Sequence, residues 1–347
     1  MVDVPFRIRV SLWLLAFLVA VPLIGPLLVP IPPLQGLQRA EALAGPESLF
    51  VRVDGITLHV ETFPPGVAPD EAQGDGLPGA LAVVMLHGFG SQTHTWRHLG
   101  EALADLPAVA LALAFDRPAF GLSDRPAAAS WGRDRNPYGP DAQVAYTLGL
   151  LDAYGFERAI LIGHSAGGSL ALQVALAAPE RVAGLVLISP AVYEGGGAPR
   201  WLRPLLSTPQ LDRLGPLLMR SLAGEPGENF LRAAYYDPDA LDAADEAAYR
   251  RALSVEDWDR ALWELVKASR EPDLVRSLPR LSQPTLVLTG AQDAIVGIDQ
   301  SRRLAEELPH ASFAAIERCG HVAHEECPGE AIDRILDWLD DGRALLE

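Results

Sequence analysis

The chain is poor in cysteine and in lysine. Its 347 residues include two cysteines, Cys319 and Cys327, too few for a disulfide framework. Two separate buried thiols are expected there, with a bridge around the intervening segment as the alternative. Lys267 is the only lysine, so arginine supplies nearly all the positive charge, and the formal net charge is −17. An acidic chain with no basic stripe excludes nucleic acid as a partner and weakly repels anionic substrates. No nucleotide-binding glycine loop is present. His87, His94 and His98 are loosely grouped, but no carboxylate or thiolate stands at ligand spacing beside them, so no metal site is read. The chemistry is expected to need no cofactor.

The amino terminus differs in kind. Arg7 and Arg9 precede an uncharged apolar stretch, Val10 to Val29, about the ~20 residues that cross a bilayer as a helix. Pro22, Gly25 and Pro26 lie inside it. Basic residues before a span keep that end cytoplasmic. The expectation is a membrane anchor with the catalytic region outside the cytoplasm. A signal cleaved after Ala42-Leu43-Ala44, giving a secreted enzyme, is the first alternative, and a soluble or interfacial segment the second.

Beyond this segment, 49% hydrophobic content is enough for one large core with a lid. The most informative stretch is Ala159-Ile160-Leu161-Ile162 running into Gly163-His164-Ser165-Ala166-Gly167-Gly168. A β-prone run, Gly-x-Ser-x-Gly and the helix-compatible Leu170 to Ala178 form the context of a nucleophile elbow. A serine needs a base, and the base an orienting acid. The strand-like run Thr285–Thr289 is followed by Asp293, and Ala311–Ile316 by Gly320-His321. Ser165, Asp293 and His321 therefore stand in the chain order Ser, acid, His, each after a strand. Asp293 also reads as a helix N-cap, and His324 as a competing base. Upstream, Leu81–Leu86 ends in His87-Gly88-Phe89-Gly90. The backbone N–H groups of Phe89 and Ala166 are the expected oxyanion donors. Gly88 and Gly90 let the loop turn its amides inward, and His87 braces it.

These motifs, together with Phe115-Asp116-Arg117-Pro118-Ala119-Phe120-Gly121-Leu122-Ser123-Asp124, resemble the α/β-hydrolase superfamily, most closely its capped bacterial members. The resemblance spans nearly everything after Phe50. It implies a mostly parallel central sheet flanked by helices, an inserted helical cap, and a loop at Asp116 to Asp124 that buttresses the oxyanion loop. It says much less about substrate.

The organisation read from the chain is an anchor and linker at residues 1–46, core at 47–190, cap at 191–281 and core again at 282–347. Leu49–Val53 and Ile56–Thr62 read as a hairpin turning at Asp54-Gly55. Pro64 to Gly79 reads as an exposed connector. The cap carries Trp201, Leu202, Leu205, Leu206, Leu218, Leu222 and Phe230 among many apolar groups, so some should cover an apolar pocket. No basic cluster points to a phosphate or coenzyme group. The expected partner is a small apolar ester, cleaved through an acyl-enzyme. Hydrolysis of a carbon–carbon bond in a vinylogous diketone uses the same triad, although relatives of that kind often have asparagine where His164 stands. A silent binding module should have lost part of the triad, and all of it is present. Nothing in the sequence sets the oligomeric state.

Overall fold

The computed structural model describes residues 6–72, 81–127, 136–193, 201–269 and 274–341. The strands are β1 Leu49–Val53, β2 Ile56–Phe63, β3 Leu81–Leu86, β4 Val109–Phe115, β5 Ala159–His164, β6 Val182–Ile188, β7 Thr285–Gly290 and β8 Ala311–Ile316. They form one sheet in the order β1-β2-β4-β3-β5-β6-β7-β8. Its first two strands are antiparallel, β2 runs antiparallel to β4, and every later pair is parallel. β5, β6 and β7 are buried along their whole length, which is why they read as continuous apolar runs. The hairpin closes where expected: Asp54 and Gly55 both have positive φ, 50° and 83°, the twist that a two-residue turn between right-twisted strands requires.

The longer helices are α1 Phe6–Leu28, α2 Arg97–Ala104, α3 Pro140–Ala153, α4 Ala166–Ala177, α5 Pro209–Met219, α6 Glu225–Ala233, α7 Ala243–Arg251, α8 Trp258–Ala268, α9 Ile298–Glu307 and α10 Pro328–Asp341. α3, α4 and α9 bury Leu150, Leu172 and Leu304 on one face of the sheet. On the other face, α2 and α10 bury Leu99, Leu103 and Ile335. Each such leucine contributes about 1.5–3 kcal/mol of hydrophobic free energy. Between β6 and β7 the described chain is helical without strands, and α5 to α8 cover the carboxyl ends of the strands. Parts of the predicted segments lie outside the described residues: 1–5, 73–80 of the connector, 128–135, 194–200 and 270–273 of the cap, and 342–347.

The amino-terminal expectation is overturned. Among the described residues no single helix is long and apolar enough to cross a membrane, because the segment is bent by 41° between Phe6–Leu18 and Ala20–Leu28. Pro22 explains the position of the bend: its ring clashes with the carbonyl four residues back, at Leu18, and it donates no hydrogen bond there. With the straight span falls the placement of the catalytic region outside the cytoplasm. The end of the apolar helix and the stretch read as a linker are instead built into the cap. Gln210 Nε2 donates to Leu23 O at 2.8 Å, and Arg220 Nη1 to Pro32 O at 2.6 Å. Gln38 pairs through its backbone with Ser254 and Glu256, and Leu34 and Leu37 pack beside Phe120 and Trp258. Cleavage at Ala44 would strip these contacts from the cap.

Candidate active site

β5 delivers Ser165 into a backbone conformation that side-chain-bearing residues avoid, φ 52° and ψ −117°. Strain of this kind costs on the order of 1–3 kcal/mol and persists only where the surroundings hold it. Here Ser165 N–H donates to Ile188 O at 2.9 Å, and Ser165 O accepts from Gly168 N–H at 3.0 Å. Gly167 is required by close approach: a Cβ there would collide with Leu86 O as the helix starts beneath β3.

Asp293 and His321 arrive from the ends of β7 and β8. Asp293 Oδ2 accepts from His321 Nδ1 at 2.8 Å, and Oδ1 accepts from the Ile295 and Val296 N–H groups, both at 2.8 Å. Asp293 does not cap α9, whose N-cap is Gly297; its Oδ1 instead binds amides of the loop that precedes that helix. His321 is held by its own backbone, since its N–H donates to Ala234 O of the cap at 2.7 Å and its carbonyl accepts from His164 Nε2 at 3.1 Å. Burial, and then the neighbouring His324 and His321, hold the His164 pKa well below its ordinary value. His164 is therefore a neutral donor. His324 is placed elsewhere. Its ring stacks on Trp96 at 4.5 Å and its Nε2 meets Thr95 Oγ1 at 2.8 Å, and burial depresses its pKa to about 3.

The loop after β3 lies against the elbow. A Cβ on Gly88 would stand 3.2 Å from Ser165 Cβ, so glycine is needed for that approach. His87 Nδ1–H donates to Gly88 O at 2.8 Å and Nε2 accepts from Arg117 N–H at 3.0 Å. Burial, then the charge of Arg117, push the His87 pKa down to about 3. It is a neutral brace. Asp116 accepts from Thr93 N–H, Leu122 N–H and His59 Nδ1, each at 2.7 Å, so it knits the loops after β3 and β4 to β2. Among the described residues no acceptor lies on the Phe89 N–H or on the Ala166 N–H, the latter at the start of α4.

Ser165, His321, His164 and Phe89 open into a cavity of about 170 Å³. Its walls are Phe120, Leu222, Phe230, Leu231, Trp258 and Leu262, with Ile295 and Val322 beside the triad loops. Trp201 and Leu205 do not line it; they are 75% and 47% exposed. The apolar excess of the cap is therefore only partly spent on the pocket. At the rim Arg250 is held by Glu228 at 2.5 Å and Glu246 at 3.0 Å, and Arg232 stands exposed.

Three features escaped the sequence. Cys319 and Cys327 form a disulfide rather than two thiols, because the loop around His321 folds back on itself. That loop is pinned further by Glu326, which accepts from Gly320 N–H at 2.6 Å and from Asp237 N–H of the cap at 2.7 Å. Cys319, Glu326 and Cys327 are close enough to hold a cation, but the bridge removes the thiolates such a site needs. A buried network also joins core to cap: Thr95 and Tyr249 both donate to Glu325 Oε1, at 2.5 and 2.6 Å. Beside it, Asp245 binds Arg97 at 2.7 Å and His94 at 2.8 Å. His94 thus serves a core–cap tie. The third is the contact of Arg117: the sequence assigned Asp116 to Asp124 to bracing the oxyanion loop, but not which side chain reaches Gly88 O.

Residues 82–328 match the model of the alpha/beta hydrolase fold family. The chain belongs to this family. A curated relative, 2-hydroxy-6-oxononadienedioate/2-hydroxy-6-oxononatrienedioate hydrolase 2 of Pseudomonas putida, is 31% identical over 75% of this chain and 88% of its own. Among solved structures, 2-hydroxy-6-oxo-6-phenylhexa-2,4-dienoate hydrolase from Rhodococcus sp. strain RHA1 is 26% identical, with TM-score 0.62, over 85% of this chain and 99% of that one. A thermophilic esterase from Thermogutta terrifontis is 24% identical with TM-score 0.64, over 85% and 98% respectively, a likeness of fold. This α/β hydrolase is an enzyme of the hydrolase class.

Proposed function

We propose that the protein hydrolyses neutral carboxylic esters with short to medium apolar acyl groups. Ser165 Oγ attacks the acyl carbon while His321 takes its proton. The Phe89 and Ala166 N–H groups hold the oxyanion, and Asp293 holds the imidazolium. His321 returns the proton to the departing alcohol, and water then repeats the sequence to release the acid. The observation that carries the choice of substrate is the cavity: apolar walls around Ser165, and a rim where Arg250 is already held by Glu228 and Glu246. Arg232, the other arginine at the rim, is exposed and hydrated, so among the described lining residues a dianionic substrate would find no desolvated, unpaired cation. A volume of about 170 Å³ lies below the ~300–1,000 Å³ of most drug-sized ligand sites, which favours a short acyl chain.

A second reading, hydrolysis of a carbon–carbon bond in a vinylogous diketone, draws on the 31% identity to the Pseudomonas putida hydrolase. Here His164 stands where relatives of that kind often have asparagine. A panel of p-nitrophenyl esters from acetate to decanoate separates the two. The expected kcat/KM rises toward butyrate or hexanoate, roughly fourfold per methylene at about 0.8 kcal/mol each, and then falls. Turnover of a vinylogous diketone with no ester cleavage would overturn the ester reading and leave the triad standing.

A further inference from the structure

Arg117 is buried beneath the oxyanion loop, and its guanidinium faces a backbone carbonyl instead of an acid. Its Nη2 donates to Gly88 O at 3.0 Å, and its Nε has no partner. The neighbouring Asp116 is occupied by His59, Thr93 and Leu122. Among the described residues no carboxylate pairs with Arg117. A lone buried guanidinium is costly, and burial does lower its pKa to about 10, so the charge persists at neutral pH without a counter-ion. The Phe120 ring, 5.4 Å from the guanidinium carbon, supplies modest cation–π compensation.

The carbonyl that Arg117 binds belongs to the Gly88–Phe89 peptide. In a trans peptide C=O and N–H point in opposite directions. Two donors on Gly88 O, from His87 at 2.8 Å and Arg117 at 3.0 Å, therefore turn the Phe89 N–H away from them. Gly88 itself lies against the elbow, with Ser165 Cβ 3.2 Å from where its own Cβ would be, and Phe89 lines the same cavity as Ser165. A cation on the carbonyl also draws electron density from the amide and makes its N–H a stronger donor, an effect that low local dielectric enlarges.

We propose that Arg117 is a positioning residue: through Gly88 O it aims and polarises the Phe89 N–H toward the oxyanion that forms on the carbonyl attacked by Ser165. This rests on the acyl-transfer reading above. Because the oxyanion develops only as Ser165 attacks and is absent from the bound ester, the contribution is to kcat and leaves substrate binding alone. Loss of a whole oxyanion donor costs about 10²–10³ in kcat; loss of its aim and polarisation is expected to cost about 10- to 100-fold.

The test compares wild type with Arg117→Met, Arg117→Gln and Arg117→Lys on p-nitrophenyl butyrate, with active sites counted by a fluorophosphonate. Arg117→Met and Arg117→Gln should lose kcat about 10- to 100-fold with KM within twofold. Affinity for a trifluoromethyl ketone, which adds Ser165 to give a tetrahedral oxyanion, should fall by the same factor. Arg117→Lys should recover part of the loss. Unchanged kcat, or a loss confined to KM, would overturn the proposal. So would a loss of kcat with unaltered trifluoromethyl ketone affinity. Where Arg117→Met does not fold, Arg117→Gln and Arg117→Lys carry the same comparison. If wild type cleaves no ester yet is labelled at Ser165, the ester reading fails alone. The rate constant of fluorophosphonate labelling, whose phosphoryl oxygen uses the same donors, then replaces kcat as the readout, and a rate equal to wild type in the variants overturns the role of Arg117.

Discussion

Ser165, His321 and Asp293 do different amounts of work, and single substitutions should separate them. Ser165→Ala is expected to abolish fluorophosphonate labelling and lower kcat by roughly 10⁴-fold or more, the residue left by binding and the oxyanion hole. His321→Ala should match it, since serine and histidine act as one unit. Asp293→Asn should be milder, about 10³- to 10⁴-fold, because the amide still fills the place that accepts the Ile295 and Val296 N–H bonds. Steady-state kinetics with mass-spectrometric location of the label reads all three. An inactive His324→Ala beside an active His321→Ala would invert the assignment. The opposite is expected, because His324 is stacked on Trp96 and bonded to Thr95 beneath the site.

At the scale of elements, the His321 loop and the cap wall decide how the triad is presented. The Cys319–Cys327 bridge closes a short loop, with a sequence separation of 8. Loop-closure entropy for such a length corresponds to about 2–3 kcal/mol. The double variant Cys319→Ser with Cys327→Ser should therefore unfold at lower urea by that amount, and reductant should destabilise the wild type equally. A difference below about 0.5 kcal/mol would mean that the Glu326 bonds alone define the loop. The cap wall makes a second expectation. Phe230 lines the cavity whereas Trp201 does not, so Phe230→Ala should move the preferred acyl chain to longer esters, and Trp201→Ala should leave it in place. Chain-length profiles of the two variants check this.

Over the whole molecule, buried neutral histidines tie stability to pH. His87 and His324 titrate near 3 in the fold, held down by burial and then by Arg117 and His321 respectively, against about 6.5 in the unfolded chain. His164 is depressed as well. For each, the unfolded state binds the extra proton first, so the stabilisation is complete above about pH 6.5 and is lost as pH falls below it, for His87 and His324 toward 3. At pH 5 the loss is about 2 kcal/mol each for His87 and His324. His59 works the other way in part: burial opposes its charge, but Asp116 outweighs it and its pKa is raised. It therefore contributes most below its unfolded value. Glu61 and Glu325, raised by burial, act with His59, and the three depressed buried rings are expected to outweigh them, giving a net fall in stability on acidification from pH 7 to 5. Urea denaturation across that range measures it, and a flat or rising midpoint would contradict the burial of these rings as neutral groups.

What a linear reading reaches is set by how local the physics is. The strand-turn-helix at Ser165, the hairpin at Asp54-Gly55 and the apolar runs of β5 to β7 depend on neighbours in sequence, and all were legible there. So was the order of Ser165, Asp293 and His321, because each follows its own strand. The domain limits and the triad roles remain as proposed, while the fold they belong to is shared with the family. Pairings over long separations were not legible. Arg117 on Gly88 and Tyr249 on Glu325 exist only once loops from distant parts of the chain meet; the Cys319–Cys327 bridge is local, but its closure depends on how the His321 loop folds back, which spacing alone left open. The amino-terminal helix shows the same limit from the other side. Apolar content alone favoured a straight span, but Pro22 bends it and Gln210 and Arg220 bind the chain around it to the cap. Composition determined that the segment would be helical and apolar; packing decided where it lies, because the partners that hold it are nearly two hundred residues away.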